Sequence, residues 1–270
     1  MSAAPLNCRY EAFAYSRRAE ILLQRATETF LRALPLISTL AMKFGSEEAF
    51  GAGYNVLPMW RVRPPNEDHG LVYAMSYLDV ADTPTVLDVP PGLQGILLDF
   101  WQRPIPGPTI RGRGHCGDVG FSGPDGGSGG KFLIVPPGYD QRNPSGHYVY
   151  RSGTNNVFAF LYASCQDEKD LAPAVALMKT VKIYPLGETS PKAMIYRDGS
   201  GTASAPPRSD SAAFDQLKWL LDHEGEDLAD PDAMDLLAGI GIVRGEPFTP
   251  TLEMRAILDR AARSAVALLP

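Results

Sequence analysis

The chain has 270 residues, of which 44% are hydrophobic and 21% are charged, and this composition excludes a largely disordered protein. The formal net charge of −6 is moderate and mixed in sign along the chain, which argues against nucleic acid as a partner. The three cysteines, Cys8, Cys116 and Cys165, are widely spaced without a CxxC pair; they support neither a disulfide framework nor a zinc ribbon and favour a reducing compartment.

The N-terminal residues 1–60 are predicted to be a helical segment that packs on the domain that follows. Between residues 9 and 34, apolar residues recur every three or four positions with charges between them, which is typical of an amphipathic helix. No basic and apolar leader is visible, and the apolar stretch at 31–44 contains Pro35 and is too short to span a bilayer. We therefore expect a cytoplasmic protein with no membrane partner.

From Leu71 onward the pattern changes to short β-branched and aromatic runs bounded by Pro, Gly, Asn and Asp, which predicts strands. Because no helix of crossover length separates most of these runs, antiparallel pairing is favoured over a parallel, dinucleotide-binding sheet. The predicted fold is mainly β with flanking helices (α+β): an antiparallel, jelly-roll-like β-sandwich over residues 61–187. The glycine-rich stretch at 123–131 is interpreted as a hairpin tip, since its lysine precedes a strand and not the helix that a phosphate-binding loop needs.

Residues 188–209 are rich in Gly, Ser and Pro, which predicts a linker. Residues 210–270 are predicted to form a helical tail or connector. Its last helix has mostly small apolar residues, so we expect the tail to pack against another part of the protein. Three residue pairs carry helix-start signals: Ser209 and Asp210, Asp230 and Pro231, and Thr249 and Pro250.

Two short polar segments are weak candidates for a metal site or a general base. Glu67, Asp68 and His69 are consecutive in a proline-rich loop, although adjacent residues rarely converge on one ion and the alternative is an ordinary polar loop. His115 stands beside Cys116, but the further ligands that a closed zinc site needs are not evident. We therefore predict no metal and no cofactor.

Aromatic residues are dense within the predicted strands. Aromatic faces with polar rims suit sugars and other flat or amphipathic ligands. The strict alternation in HYVYR and in NVFAFLYA places about half of these rings in the core. The set consists of Tyr73, Tyr77, Phe100, Trp101, Tyr148, Tyr150, Phe158, Phe160 and Tyr162.

Several strings occur together in one order: PNEDHGLVYAMSYLDV, TVLDVPPG, ILLDFW, GGKFLIVPPGYD and RSGTNNVFAFL. This order resembles the bacterial family called domain of unknown function 1254. The resemblance covers roughly residues 30–186 and implies a jelly-roll-like sandwich without an agreed reaction. In this family a second β-sandwich, domain of unknown function 1214, usually follows. We expect that domain to be absent here, so the chain is either a natural single-domain relative or a truncated product.

The resemblance also implies site residues, by matching its Pro-Asn-x-Asp, Asp-x-Trp and Arg-x-x-Thr-Asn elements and a tyrosine. Two departures bear on these residues: His69 and Gly70 replace the usual threonine, and Gln102-Arg103-Pro104 replaces the expected Thr-Asn. The residues implied to bind a ligand are Asn66, Asp68, Tyr73, Asp99, Trp101, Arg151 and Thr154.

Three functions are consistent with these observations. The first is the binding of a small polar or carbohydrate-like ligand in an aromatic-lined pocket, where Arg151 fixes the ligand and Asp68 and Asp99 accept its hydrogen bonds. The second is a hydrolase or lyase in which Asp68 or Asp99 is the general base and Arg151 stabilises negative charge. The third is an assembly module covered by a second β-sandwich domain or by another copy of itself.

Overall fold

The computed structural model describes residues 6–62, 70–202, 205–224 and 231–269, and for residues 6–16, 168, 231 and 232 it describes the backbone alone. The described residues contain six α-helices: α1 (Leu6–Arg32), α2 (Leu34–Phe50), α3 (Leu171–Met178), α4 (Ala212–His223), α5 (Pro231–Ala238) and α6 (Leu252–Val266). They contain twelve strands: β1 (Val56–Val62), β2 (Gly70–Asp79), β3 (Thr85–Val89), β4 (Gln94–Asp99), β5 (Pro106–Ile110), β6 (Arg113–Cys116), β7 (Asp118–Val119), β8 (Gly130–Val135), β9 (His147–Arg151), β10 (Asn156–Cys165), β11 (Lys182–Pro185) and β12 (Ile195–Asp198). The predicted α+β fold is therefore confirmed.

The chain divides into two compact units. Unit 1 is helical and comprises the described residues within 1–41, 206–223 and 229–270. Unit 2 holds the strands and comprises the described residues within 42–205 and 224–228. None of the helices that the structure describes is both long enough and apolar enough to cross a membrane.

Unit 1 is built on α1, which packs against α5 and α6. The amphipathic helix predicted from residue 9 is confirmed as α1, and the buried ring of Phe30 meets that of Phe214 edge to face at 6.0 Å. Helix α6 buries Ala261 and Ala265, whose small side chains let two helix backbones approach closely. Its N-cap is Thr251 and not the predicted Thr249, since the Thr251 side chain accepts a hydrogen bond from the Met254 amide.

Unit 2 is a sandwich of two sheets with an appended hairpin. Sheet A has six strands in the order β12-β1-β2-β10-β4-β7, sheet B has four in the order β11-β3-β8-β9, and β5 pairs with β6. Between the two large sheets lies a core of alternate residues, because successive side chains of a strand point to opposite faces. This core includes Val72, Leu78, Leu97, Phe132, Tyr150 and Leu161.

Most strand pairs are antiparallel, as predicted, but two are parallel. Strand β9 runs parallel to β8 because the eleven residues 136–146 between them are enough for the chain to return to the same end of the sheet. Strand β12 runs parallel to β1 and lies within 188–209, the segment whose composition predicts a linker. The open edge of β1 provides the backbone partners for β12, and the Ile195 amide donates to the Asn55 carbonyl at 2.7 Å.

The glycine-rich stretch at 123–131 is not a hairpin tip. It connects β7 of sheet A to β8 of sheet B, so the strands on its two sides do not pair. The buried carboxylate of Asp125 accepts hydrogen bonds from the amides of Gly120, at 2.8 Å, and Gly129, at 3.1 Å. These contacts fix the loop from within, and local side-chain-to-backbone bonding of this kind is typical of aspartate in turns.

Candidate functional site

The outer face of sheet A, which points away from sheet B, is covered with aromatic rings. We call this surface the aromatic face and define it by Trp60, Tyr73, Tyr77, Phe158, Phe160 and Tyr162. Strand register places the rings in rows: Trp60, Tyr73 and Tyr162 lie side by side on neighbouring strands, as do Tyr77 and Phe158. The rings of Trp60 and Tyr73 stack at 5.3 Å and 10°. The predicted alternation in the strand NVFAFLYA is confirmed, since Phe158, Phe160 and Tyr162 share this face.

One corner of the aromatic face is only half-buried. Tyr73, Phe160 and Tyr162 form a continuous ring surface there, with centroids 5.5 Å apart for the first pair and 6.0 Å for the second. Gln94 lies at its rim, where its side-chain oxygen accepts a hydrogen bond from the Tyr162 hydroxyl at 3.4 Å. We call Tyr73, Phe160, Tyr162 and Gln94 the exposed corner. It combines flat apolar surface with hydroxyl and amide groups.

Another part of the aromatic face borders a small cavity of about 50 Å³. Tyr77 contributes to its lining, and the Tyr77 hydroxyl oxygen is buried and has no hydrogen-bond partner among the residues that the structure describes. Burial raises the pKa of the Tyr77 hydroxyl above its usual value of 10, so this group is a neutral donor. We call this space the Tyr77 cavity; it is lined by Met42, Gly45, Ser46, Phe50, Trp60, Met75, Tyr77, Thr202 and Ala205.

Two of the residues implied by the resemblance meet in a tight turn at the end of β4. The buried carboxylate of Asp99 accepts hydrogen bonds from the Arg103 amide, at 2.9 Å, and from Arg103 Nε, at 2.8 Å. The Phe100 amide donates to the buried Thr154 Oγ1 at 3.2 Å, and this hydroxyl donates to the Asn156 carbonyl at 2.5 Å. Asp99 and Thr154 therefore lie together in a polar cluster that stabilises loops, and the half-buried Trp101 follows in the same turn.

Tyr73 and Arg151 do not join this cluster. The strand register aligns Asp99 of β4 with Leu78 of β2. Leu78 is five residues from Tyr73 along β2, so Asp99 and Tyr73 are separated by about 17 Å along the strand direction. Arg151 is two residues from Val149 on β9, so both side chains point to the outer face of sheet B. There the Arg151 guanidinium donates to the Tyr139 carbonyl at 3.1 Å. Asn66, Asp68 and His69 lie outside the described residues, so their convergence on a cavity with Asp99 and Arg151 stays a prediction.

The remaining metal candidate, His115, is buried on β6. Its Nδ1 has no hydrogen-bond partner in the described part of the chain. The neighbouring thiol of Cys116 is exposed and donates to the Pro104 carbonyl at 3.2 Å. Within the described residues, no group of three or more His, Cys, Asp or Glu side chains is placed to hold a metal ion.

Comparison with known proteins identifies the sandwich. Residues 56–185 match the family model described as "Protein of unknown function (DUF1254)". This part of the chain is a DUF1254 domain. No curated protein matches the chain.

The chain has a neighbour among solved structures. The crystal structure of the VPA0106 protein from Vibrio parahaemolyticus aligns with a TM-score of 0.57 at 18% sequence identity. The alignment covers 91% of this chain and 58% of that one, so the chain spans less than two thirds of that protein's length. At this level of identity the likeness shows the fold alone.

The candidate site extends beyond the part of the chain that matches the DUF1254 family. The Trp60 indole nitrogen donates to the Thr202 carbonyl at 2.9 Å, and Thr202 lines the Tyr77 cavity. Trp60 was not predicted as a site residue, because glycine and proline around residues 45–70 disfavour regular structure there. The continuous apolar run VLPMW at 56–60, typical of a strand buried on both faces, is the signal that would have found it.

A buried carboxylate, Glu224, also belongs to unit 2 and was not predicted. It accepts hydrogen bonds from the amides of Asn155 and Asn156, the latter at 2.9 Å, and from Asn156 Nδ2 at 2.8 Å. Burial raises the pKa of Glu224, and the hydrogen bonds from Asn156 and Asn155 oppose that shift. Glu224 thus holds the loop that carries Thr154, and no local sequence pattern indicates a contact 68 residues along the chain.

The Tyr77 hydroxyl is expected to cost stability when no ligand is added. Replacing Tyr77 by phenylalanine should raise the free energy of unfolding by about 1 kcal/mol, because a buried hydroxyl without a partner carries a desolvation cost. Urea unfolding followed by tyrosine and tryptophan fluorescence measures this change. The matched control is Tyr150→Phe, which should lower stability because its hydroxyl donates to the Asp118 carbonyl at 2.5 Å. Equal losses in both variants would mean that Tyr77 has a partner.

Proposed function

We propose that the DUF1254 domain binds a carbohydrate-like ligand, a ring that carries several hydroxyl groups, on its exposed corner. The observation that carries this proposal is the continuous half-buried surface of Tyr73, Phe160 and Tyr162. Sugar rings have apolar faces that pack on aromatic side chains and hydroxyl edges that need hydrogen bonds. The exposed corner offers both kinds of contact.

The polar groups at the rim support a hydroxylated ligand over a purely apolar one. The Tyr162 hydroxyl and the Gln94 side chain are already paired at 3.4 Å, a long contact that a ligand hydroxyl can replace. Burial raises the pKa of the Tyr73 hydroxyl, which keeps this group protonated as a donor. Neutral donors and acceptors of this kind suit an uncharged ligand.

Three predicted residues remain part of this proposal: Tyr73, which belongs to the exposed corner, and Asn66 and Asp68. Asn66 and Asp68 precede Tyr73 by seven and five residues in the sequence, so we include them as further hydrogen-bonding groups. Asp99 and Thr154 are engaged in loop-stabilising contacts, and Arg151 lies on the outer face of sheet B. The proposal is therefore one of ligand binding, with Asn66 and Asp68 as hydrogen-bonding groups.

Affinity electrophoresis in native gels that contain xylan, dextran or hydroxyethylcellulose tests the proposal. At least one of these soluble polysaccharides should retard the protein. Tyr162→Ala should weaken that retardation by about tenfold in affinity, because it removes one of the three rings of the surface and the hydroxyl at its rim. Tyr184→Ala, which changes a half-buried tyrosine of sheet B, is the matched control and should leave it unchanged. Equal migration of all three proteins in every gel would refute the proposal.

A further inference from the structure

We propose that the exposed corner continues into a second sugar subsite, formed by Asp118 and Phe121, so that the ligand is a chain of linked neutral sugar units and not a single ring. We call Asp118 and Phe121 the edge pair, because they lie on and just after β7, an edge strand of sheet A. This inference rests on the proposed function and extends the binding surface across β4.

The sheet register joins the edge pair to the rings of the exposed corner. Phe160 of β10 is opposite Ile96 of β4, and Ile96 is opposite Asp118 of β7. Residues that face each other on neighbouring strands lie on the same side of a sheet, so all three side chains are on the outer face of sheet A. The half-buried side chain of Ile96 therefore provides apolar surface between Phe160 and Asp118.

Phe121 is next to Gln94, the amide group of the exposed corner. The residue before it, Gly120, packs so closely on Gln94 that a Cβ atom there would lie 2.8 Å from Gln94 Cα and 3.1 Å from Gln94 Cγ. Consecutive Cα atoms are about 3.8 Å apart, so Phe121 Cα is within about 8 Å of Gln94 Cα. The Phe121 side chain is 78% exposed, and it is the only aromatic one among the exposed large apolar side chains of the described residues. Its ring is therefore available for stacking at this end of the site.

The backbone that carries Phe121 is held in place before any ligand binds. The Gly120 amide donates to the buried carboxylate of Asp125 at 2.8 Å, and the Gly120 carbonyl accepts from the Gly123 amide at 2.8 Å. A loop that is already ordered loses less conformational entropy when it binds. Phe121 thus extends from a segment whose position is fixed, which favours binding.

Asp118 supplies the polar groups of the second subsite. Its backbone carbonyl accepts from the Tyr150 hydroxyl at 2.5 Å, whereas its carboxylate has no hydrogen-bond or ion-pair partner in the described part of the chain. A carboxylate has two oxygens and can accept hydrogen bonds from two neighbouring hydroxyl groups of one sugar ring. Phe121, three residues further on, supplies the flat apolar surface that the same sugar ring needs.

The distance across the site favours several sugar rings over one. The ring centroids of the exposed corner are 5.5 and 6.0 Å apart, so one sugar ring can contact two of them. Asp118 is two strand spacings from Phe160, which corresponds to about 10 Å. A single ring that stacks on Phe160 and Tyr162 does not reach the edge pair, whereas linked rings do. Two linked contacts also bind more tightly than either contact alone.

The charge of the site favours neutral sugars over acidic ones. The exposed corner and the edge pair contain no lysine, arginine or histidine, and Asp118 adds a negative charge. The carboxylate of an acidic sugar would be repelled by that of Asp118, and no cation of these two groups would compensate. A chain of neutral units avoids this repulsion and keeps the hydrogen bonds to Asp118.

Oligosaccharides of increasing length test the inference. An NMR titration of the isotope-labelled full chain uses xylo-, isomalto- and cello-oligosaccharides of one to four units, the building blocks of xylan, dextran and cellulose. In the series that binds, affinity should rise at least about tenfold from the monosaccharide to the trisaccharide. Phe121→Ala should lower trisaccharide affinity about tenfold and leave monosaccharide affinity within about twofold, because it removes only the second stacking contact. Tyr162→Ala should weaken binding at every length.

Two further comparisons control for exposure and test the charge. Leu252→Ala also shortens an exposed apolar side chain, one that belongs to unit 1, and it should leave every affinity unchanged. Replacing one neutral unit of the trisaccharide by glucuronic acid should lower its affinity for the parent protein at least about fivefold. For Asp118→Asn this difference should fall below about twofold. Unfolding curves like that of the parent protein show that the variants are folded.

Three results would overturn the inference: an affinity that does not rise with length, a Phe121→Ala variant that binds the trisaccharide as tightly as the parent protein, or an Asp118→Asn variant that still rejects the acidic sugar. In each case, sugar binding that is lost in Tyr162→Ala would still support the proposed function. The absence of binding at every length would overturn both proposals.

Discussion

Replacing Glu224 by alanine is expected to lower the free energy of unfolding of unit 2 by about 3–5 kcal/mol. The carboxylate is 4% exposed and accepts three hydrogen bonds, two from backbone amides and one from the Asn156 side chain. Alanine removes all three acceptor contacts and leaves space beside polar groups that are shielded from water. Urea unfolding gives the total loss, and hydrogen exchange read by mass spectrometry assigns it to the loop at 152–156.

A second carboxylate of the same unit provides the control. Asp140 is exposed, so Asp140→Ala should change stability by less than about 0.5 kcal/mol. The loss of stability in Glu224→Gln should lie between those of the two alanine variants. The glutamine amide keeps one acceptor oxygen, but its nitrogen is a donor that faces other donors. A loss below about 1 kcal/mol for Glu224→Ala would contradict the buried network described for this loop.

Thr154→Val is expected to cost about 2–3 kcal/mol. Valine has nearly the shape of threonine, so the substitution removes the hydroxyl and little else. The Phe100 amide then loses its acceptor and the Asn156 carbonyl loses a donor, both in a fully buried environment. The same unfolding measurement detects the loss, and the Phe100 amide should exchange faster with solvent.

The matched variant for this test is Thr109→Val, an exposed threonine of β5, which should be close to neutral. The comparison also separates two roles for the Arg-x-x-Thr-Asn element. A structural role predicts lower stability with unchanged retardation by polysaccharide at a temperature where the variant is folded. Full stability combined with lost retardation would instead assign Thr154 to ligand binding.

The strands with strict alternation were predictable, and those that depend on distant partners were not. In HYVYR and NVFAFLYA each second residue is aromatic, so one face of each strand was evident from the sequence. In β1, Pro58 cannot donate a hydrogen bond to a neighbouring strand, and a proline argues against a central strand. The strand nevertheless forms, because β2 and β12 pair with it on its two sides. Strand β12 is far from β1 in the sequence: the paired residues Val56 and Ile195 are 139 positions apart.

The candidate site was predictable in its chemistry and not in its geometry. The density of aromatic residues indicated a ring-lined surface, and Tyr73 lies on it. The grouping of Asp99 with a ligand site rested on the resemblance, whereas the structure gives both its carboxylate oxygens to Arg103. Glu224 and Thr202 enter through tertiary contacts. Their roles are set by packing of segments far apart in the chain, which residue spacing does not encode.

Strand β12 determines where the sandwich can be cut. The family match ends at residue 185, ten residues before β12 begins. A fragment that ended there would present β1 as an open edge, with a row of backbone groups without partners and five residues that are buried in the intact unit. Such an edge is a template for pairing with a second chain. Recombinant fragments of this domain should therefore extend past residue 205, because shorter ones are expected to aggregate.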